Sequence, residues 1–496
     1  MANQPDNAAP AGKSTDFQVI GGAGMENARL GAWLILWIAL PNAALALLWM
    51  IGSPPRYPEI IATGLIGLTV RRAKPLVIAF AFAATMVYSI LQFISRLFNL
   101  SPVELATSAR FLTELRPSEA PVYIGVFAVV VATLLAGALA ARNSMAFIAT
   151  RSLLIAAAAT LLLAAVDFLV VSQNKGSYKR DAPDNAAFQS GVRQSGFLAH
   201  TGEGRHLILI AVEAMGAPRD HMLTTRLFAP LQADAVAARY LVTQGTSLFY
   251  GSTTNAEIRE LCGRWGRYDP LLEKADSTCL PFRLARQHYQ TTAIHSFDAG
   301  FFDRARWYPK VGFQHMLFRD ALLQSGVTPC PGLFPGACDR DIPALIARRL
   351  KTAPQSQFIY WLTLNSHFPV PSLAALHTAR CTALGKDLSA NRPMVCRMFK
   401  LWHEVFAGLA REITAADFPE ADILIVGDHR PPYYDRKQRE MFETDTVPWL
   451  LLRARRRRPV SRRKALPGLS VDTSGRQDTA AVAMSAHHAE WNAPLP

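Results

Sequence analysis

The chain has 496 residues, half of them apolar, with a formal net charge of +14 and a positive mean hydropathy. It is too long for one ordinary core, so at least two domains are expected, and the hydropathy is out of keeping with a wholly soluble enzyme. The charge does not argue for nucleic acid: eight basic residues stand together in "RARRRRPVSRRK" (453–464) with no aromatic platform or DNA-reading motif, which favours a solvated run or a contact with anionic lipid head groups.

The polar residues 1–27 read as a cytoplasmic tail rather than a cleaved signal peptide. Residues 28–172 hold about five apolar segments, the longest near the ~20 residues that a membrane-spanning helix needs. They are "LGAWLILWIALPNAALALLWMIG" (30–52), the shorter "YPEIIATGLIGLTV" (57–70), "PLVIAFAFAATMVYSILQFI" (75–94), "APVYIGVFAVVVATLLAGALA" (120–140) and "MAFIATRSLLIAAAATLLLAAVDFLVV" (145–171). Arg71, Arg72 and Lys74 mark the loop after the second segment, and Arg142 and Arg151 the connection after the fourth. The remaining loops carry fewer or more scattered basic residues. By the positive-inside rule the two basic loops face the cytoplasm, and five spans then send the rest of the chain outside. The expected setting is a bacterial cytoplasmic (inner) membrane, crossed several times, with the C-terminal half on the periplasmic side.

Residues 173–203 are polar and rich in small residues, the composition of a linker. From 204 to 453 short apolar runs alternate with helical stretches, which predicts an α/β domain with a largely parallel central sheet and helices on both faces. Residues 454–496 are basic and then rich in Ala, Ser and Gly, a tail read as disordered. All six cysteines, Cys262, Cys279, Cys330, Cys338, Cys381 and Cys396, lie in the second half. An even count confined to one domain suits a disulfide framework in an oxidising compartment, the alternative being buried free thiols. Sequence neighbours give the expected pairs 262–279, 330–338 and 381–396, and the lack of a Cys-x-x-Cys pair argues against a zinc finger.

Three expected strands end on side chains that bind metals or protons. "HLILIAV" (206–212) is followed by Glu213, "FIYWLTL" (358–364) by Asn365, Ser366 and His367, and "DILIV" (422–426) by Gly427, Asp428 and His429. Open α/β sheets bind ligands outside the carboxyl ends of their strands, so these residues would meet on one rim. Taken singly, each has a plainer reading: a solvated Glu, an Asp-His turn or cap, a structural His. In "GTSLFYGSTTNAEIRELCG" (245–263) a glycine turn delivers Ser252, Thr253 and Thr254 to the start of a helix. Thr254 and Glu257 fit a capping box. A hydroxyl there also suits attack on a phosphoryl or sulfuryl centre, with the helix N-terminus stabilising the anion. Glu213, Thr253, Asp428 and His429 would together offer three oxygens and one nitrogen, a set for one divalent metal, Zn or Mn.

These stretches, with "TAIHSFDAGFFDRARWYPKVGF" (292–313) and "YWLTLNSHFPV" (360–370), resemble in order and spacing the sulfatase-like branch of the alkaline phosphatase superfamily. The resemblance runs from about residue 30 to 435, and is to membrane-anchored lipid-head-group transferases in particular: lipoteichoic acid synthases and phosphoethanolamine transferases. It implies five N-terminal spans and an extracytoplasmic catalytic domain. It makes Glu213, Asp428 and His429 metal ligands and Thr253 both ligand and nucleophile. It sets Phe302, Arg304, Asn365 and His367 against the substrate, with Arg304 on the phosphate and His367 binding phosphate or protonating the leaving group. Read without it, "DRAR" could be an exposed helical turn and Phe302 plain core. The implied reaction moves phosphoethanolamine or phosphoglycerol from a phospholipid donor in the membrane, through a phospho-threonine, to an envelope glycan or lipid acceptor. Two features depart from the pattern. Ser296 follows His295 where the family commonly has glycine, and Arg430-Pro431-Pro432 follows His429 with no histidine before 487, which argues against a second metal and against lipid A as acceptor.

Two alternatives stand beside this. A sulfatase or phosphodiesterase would hydrolyse a sulfate or phosphate ester with the same layout. "CLPFR" (279–283) fits the Cys-x-Pro-x-Arg core of formylglycine sulfatases, with Cys279 as nucleophile, although "GSTTNAE" already stands where the nucleophile is expected. The domain could also be a catalytically inactive module of envelope assembly.

Overall fold

The computed structural model describes residues 15–50, 54–97, 105, 115–116, 118, 121–143, 145–171, 181–433 and 435–455. The predicted tail from 456 onward, and the first fourteen residues, lie outside the described residues.

The N-terminal region is helical: α1 (Thr15–Leu34), α2 (Leu40–Met50), α3 (Tyr57–Val70), α4 (Pro75–Leu97), α5 (Pro121–Ala140) and α6 (Thr150–Val171). Residues 15–27, expected as tail, are thus helical and run on into the first apolar segment. A π-helical turn, Ile35–Ala39, joins α1 to α2. Pro41 supplies the reason: it has no N–H for the preceding turn and its ring crowds it, and the wider turn absorbs the mismatch. Among the described residues four helical stretches are long and apolar enough to cross a membrane: Gly24–Leu45, Pro75–Arg96, Tyr123–Ala140 and Thr150–Val171. The expected fifth, α3, has only 14 residues, about 21 Å of helix against the ~30 Å of a hydrocarbon core. It is nevertheless packed inside the bundle. A Cβ on Gly64 would stand 2.4 Å from Thr160 and one on Gly67 2.6 Å from Trp37, so two small residues let the helices approach.

The C-terminal region is built on a seven-stranded sheet. Its strands are β1 (His206–Val212), β2 (Tyr240–Leu248), β3 (Gln290–His295), β4 (His315–Leu317), β7 (Gln357–Leu362), β8 (Ala421–Gly427) and β9 (Thr446–Ala454). A small hairpin of β5 (Pro329–Cys330) and β6 (Gly336–Ala337) lies between β4 and β7 in the chain. The sheet order is β2-β9-β8-β1-β7-β3-β4. Six strands share one direction and β9 runs against them, so the sheet is mixed rather than simply parallel. The chain leaves β8, passes through residues 428–445, which include the short helix Arg436–Arg439, and returns beside β8 in the opposite direction.

Alternation along β1 divides the core. Ile208, Ile210 and Val212 pack on one face with α7 (His221–Phe228), α11 (Ile342–Lys351) and α12 (Pro393–Thr414). Leu207, Leu209 and Ala211 pack on the other with α8 (Thr253–Cys262), α9 (Leu280–Ala285) and α10 (Arg304–Val311). Helices on both faces of the sheet were the sequence expectation. Part of the predicted linker, by contrast, belongs to the domain. The Gly191 and Val192 amides donate to Glu260 at 3.0 and 2.9 Å, and Phe197 is fully buried. A Cβ on Gly191 would touch Val426 at 3.0 Å, so the small residues that read as linker are what let this segment lie against the sheet. The six cysteines form the three expected disulfides, Cys262–Cys279, Cys330–Cys338 and Cys381–Cys396.

Candidate active site

In the sheet β1 lies between β7 and β8, two strands that follow one another in the chain, so the order changes direction at β1. Crevices at such points, outside the strand carboxyl ends, are where open α/β sheets hold ligands. The parallel register pairs Val212 with Gly427, so the next residues, Glu213 and Asp428, stand side by side. Gly427 is required here because a Cβ would lie 1.9 Å from the Met215 carbonyl oxygen.

Each group is fixed from behind. The Glu213 N–H donates to Thr363 Oγ1 at 2.9 Å, and its carbonyl accepts from the Ser366 hydroxyl at 2.7 Å and from Trp402 Nε1 at 3.1 Å. Asp428 Oδ1 accepts from the Ala214 and His429 amides at 2.7 and 2.6 Å. His429 Nδ1 pairs with the Arg430 carbonyl at 2.9 Å. A carbonyl only accepts, so the proton is on Nδ1 and the Nε2 lone pair faces the rim.

Thr253 completes the cluster. Gly251, with φ of +75° and no room for a Cβ, turns the chain into α8. Ser252 is the N-cap and its N–H donates to Asn255 Oδ1 at 3.0 Å. The capping pair is therefore Ser252 with Asn255, not Thr254 with Glu257, and Thr253 occupies the first helical position. Its hydroxyl donates to Glu213 Oε2 at 3.2 Å and lies 3.3 Å from His429 Nε2. Glu213 Oε1 is 3.6 Å from the same nitrogen, and Asp428 Oδ2 is 3.4 Å from it.

This set fits a divalent metal. One ligand atom each from Glu213, Asp428 and His429 lie within 4.8 Å of one another. Asp428 Oδ2 is buried and has no hydrogen-bond partner among the described residues. Burial, and then the adjacent Asp428 carboxylate, push the Glu213 pKa well above its ordinary value. Two buried carboxylates with an unsatisfied oxygen are unfavourable unless a cation sits between them.

His367 follows β7. Its Nδ1 pairs with the Phe368 carbonyl at 2.9 Å and its Nε2 points towards Glu213 Oε1, 4.0 Å away. Burial, with His429 nearby, lowers its pKa to about 3, so the imidazole is neutral at neutral pH. Arg304 opens α10 but is only 2 % exposed. It is not an exposed helical turn: Nε and Nη2 clasp Glu257 Oε2 at 3.1 and 2.9 Å. Burial opposes its charge, yet Glu257 keeps its pKa above the ordinary arginine value. Its Nη1 lies 3.5 Å from His295 Nε2, which gives His295 a place as an orienting neighbour. Phe302 is partly buried, lies 5.5 Å from the Arg304 guanidinium and adopts a left-handed φ of 53°. That backbone is costly for a bulky residue and such strain concentrates at functional sites. Asn365 does not present its amide to the rim. Oδ1 accepts from the Asp339 amide at 2.7 Å and Nδ2 donates to the Ala337 carbonyl at 3.2 Å.

Sequence reasoning missed a buried polar layer beneath the rim. Glu257 also accepts from the hydroxyls of Tyr308 and Tyr360. Arg259, 1 % exposed, donates to the Gly427 and Asp428 carbonyls at 2.9 and 3.2 Å and so holds the end of β8. The available signal was helical spacing: Glu257 and Glu260 share the face of α8 that carries Leu261 and Thr254. Cys279, the rival nucleophile, is fully buried and bonded to Cys262, which leaves no thiol to oxidise.

A doubly covered mixed sheet with a hydroxyl, two carboxylates and an imidazole at its carboxyl rim defines an α/β domain with a candidate metal site at the strand ends. The family model described as Sulfatase matches residues 205–457, just over half of the chain, and the chain belongs to that family. No curated protein matches it in sequence. Among solved structures it is similar to the lipoteichoic acid synthase LtaP from Listeria monocytogenes, at 16% identity over 55% of this chain and 71% of that one, TM-score 0.40. It is also similar to the Streptococcus pyogenes phosphoglycerol transferase GacH in complex with sn-glycerol-1-phosphate, at 15% identity over 52% and 73%, TM-score 0.36. The C-terminal periplasmic domain of EcEptC from Escherichia coli matches at 14% identity over 51% and 73%, TM-score 0.31. At these values the three structures carry no functional weight.

Proposed function

We propose that this chain is a metal-dependent transferase that moves a phospholipid head group, phosphoethanolamine or phosphoglycerol, to an envelope glycan or lipid. The observation that carries the reading is the Thr253 hydroxyl at the N-terminus of α8, within 3.2 Å of Glu213 and 3.3 Å of His429. A divalent metal, Zn or Mn, held by Glu213, Thr253, Asp428 and His429 would lower the hydroxyl pKa and neutralise phosphate charge.

In the first half-reaction the Thr253 hydroxyl gives its proton to Glu213, its oxygen bonds to phosphorus and the bond to diacylglycerol breaks, the proton then passing to the departing oxygen. The head group stays on Thr253 as a phosphodiester, steadied by the positive end of α8. In the second, the acceptor hydroxyl gives its proton to Nε2 of neutral His367, its oxygen bonds to phosphorus, and Thr253 regains its hydroxyl. Arg304 acts through its field on the charged centre and is kept in place by Glu257 and His295. The N-terminal helices hold the catalytic domain at the membrane where the donor resides. In this reading α3 crosses as a short fifth span and the catalytic domain lies on the periplasmic side. Protease added to spheroplasts should then remove that domain, and protection would reverse the orientation.

The chemistry is tested by peptide mapping of the full chain after incubation with mixed phospholipids. A head-group phosphate on the Thr253 peptide, absent in Thr253→Ala, is expected, and its mass names the donor. An unmodified Thr253 together with release of free head-group phosphate would instead mark a hydrolase with direct attack by water.

A further inference from the structure

We infer that the disulfide-closed loop Cys330–Cys338, with Asp339 directly after it, is a positioning element that sets where His367 stands. The inference rests on the reading of His367 as the group that handles the acceptor proton. Two contacts carry it. At the tip of the loop, the Phe334 ring centroid lies 3.9 Å from that of the His367 imidazole, inclined at 51°. Phe334 is itself held by Phe297 and Phe301, at 5.6 and 5.7 Å. At its base, Asp339 is 3 % exposed and its Oδ2 accepts from the Leu364 and Asn365 amides at 2.7 and 2.6 Å. Asn365 returns the contact through both ends of its amide. The loop thus grips the segment carrying His367 from one side and backs the imidazole from the other.

Asp339 Oδ1 accepts the Ser296 hydroxyl at 2.6 Å. Glycine at 296 could make no such bond, so the serine that departs from the family pattern ties the end of β3 to the same carboxylate. Burial raises the Asp339 pKa to about 6 although these donors pull it down, and an apolar side chain there would leave all three buried donors without an acceptor. The hairpin could not hold this geometry alone. β5 and β6 are two residues each, and Pro329 has no N–H to give its partner Ala337. The Cys330–Cys338 bond closes what two strand pairs leave loose.

The test uses the full chain in lipid nanodiscs, with diacylglycerol release from phosphatidylethanolamine/phosphatidylglycerol vesicles and NMR of ring-labelled histidines. Phe334→Leu is expected to lower kcat about tenfold or more at unchanged KM, because small displacements of reacting groups are costly. Phe334→Tyr should recover most of it. The double variant C330S/C338S retains every ring, so a displaced His367 resonance there reports position alone and is expected. Wild-type kcat in Phe334→Leu, or an unmoved His367 resonance in C330S/C338S, would overturn the inference. If the wild-type chain releases no diacylglycerol, the functional reading fails separately, and the resonance in C330S/C338S decides the positioning role by itself.

Discussion

Two places in this molecule bury charge, and they do so differently. At one end of the helical region the charges satisfy one another. The Arg56 amide donates to Asp167 at 2.7 Å, its guanidinium reaches Ser89 at 3.1 Å, and Arg96 clasps Glu59 with contacts of 3.1 and 2.6 Å. Two cations meet two carboxylates. At the rim of the sheet, Glu213 and Asp428 lie side by side, with Thr253 and His429 as their near neighbours and one carboxylate oxygen without a hydrogen-bond partner among the described residues. The first arrangement balances its charges, although Arg56 Nε is buried without a hydrogen-bond partner among the described residues, and it knits helices together. The second sets two carboxylates against a single imidazole, a negative excess that a cation would balance. Buried charge by itself does not mark a site; the unbalanced set does.

The strongest way to break the comparison is Asp428→Asn. It should remove the bound metal, read by elemental analysis, and lower lipid turnover by about 10³-fold. In chelator-treated protein the same variant should raise Tm, because it relieves the like-charge contact with Glu213. A lower Tm there would mean that the rim is not electrostatically frustrated.

Next in size is the pair beneath the rim. Arg304→Met leaves Glu257 buried and uncompensated, and a loss of about 3–5 kcal/mol in stability is expected. Adding Glu257→Gln should restore much of the stability and none of the turnover. Recovery of turnover by the double variant would reduce Arg304 to a packing role.

A smaller effect comes from Asp339. The folded chain keeps its proton to about pH 6, held by burial, while the ordinary carboxyl value is 3.8. Between about pH 4 and 6 the folded state therefore binds more protons than the unfolded state, and this group's contribution to stability is lost as pH rises through that window. Asp339→Asn should flatten the fall in Tm across it. A slope equal to that of the wild type would show that Asp339 ionises normally.

The smallest change is expected where charges already balance. Glu59→Gln with Arg96→Gln should cost less than about 1 kcal/mol, since the Arg96 side chain is 28 % exposed, and should leave turnover unchanged. Lost turnover in a chain that keeps its metal would give this helical cluster a functional role.

Much of the rim was legible in the sequence. Glu213 directly follows an apolar run, Asp428 and His429 follow another after a single glycine, and Thr253 follows a glycine turn at a helix start. Strand ends and helix starts are local signals, written in consecutive residues. Local spacing also paired the cysteines, and hydropathy located the apolar helices. The direction of β9 was not legible, because a strand's hydrophobic pattern reads the same in both directions. Nor was the membership of Phe197 and Gly191 in the domain, since small and polar composition describes a loose linker and a closely packed segment alike.

The side-chain partnerships were fixed only by the tertiary structure. Arg304 meets Glu257 across 47 positions and Asp339 meets Asn365 across 26. The sequence therefore determined which chemical groups reach the carboxyl rim, since each stands at the end of an element whose period is local. The fold decided which of those groups pair with one another, which are held from behind and which are left unsatisfied. A buried charge is stabilised by whatever lies within a few ångströms of it, and sheet order and register bring those neighbours from distant parts of the chain.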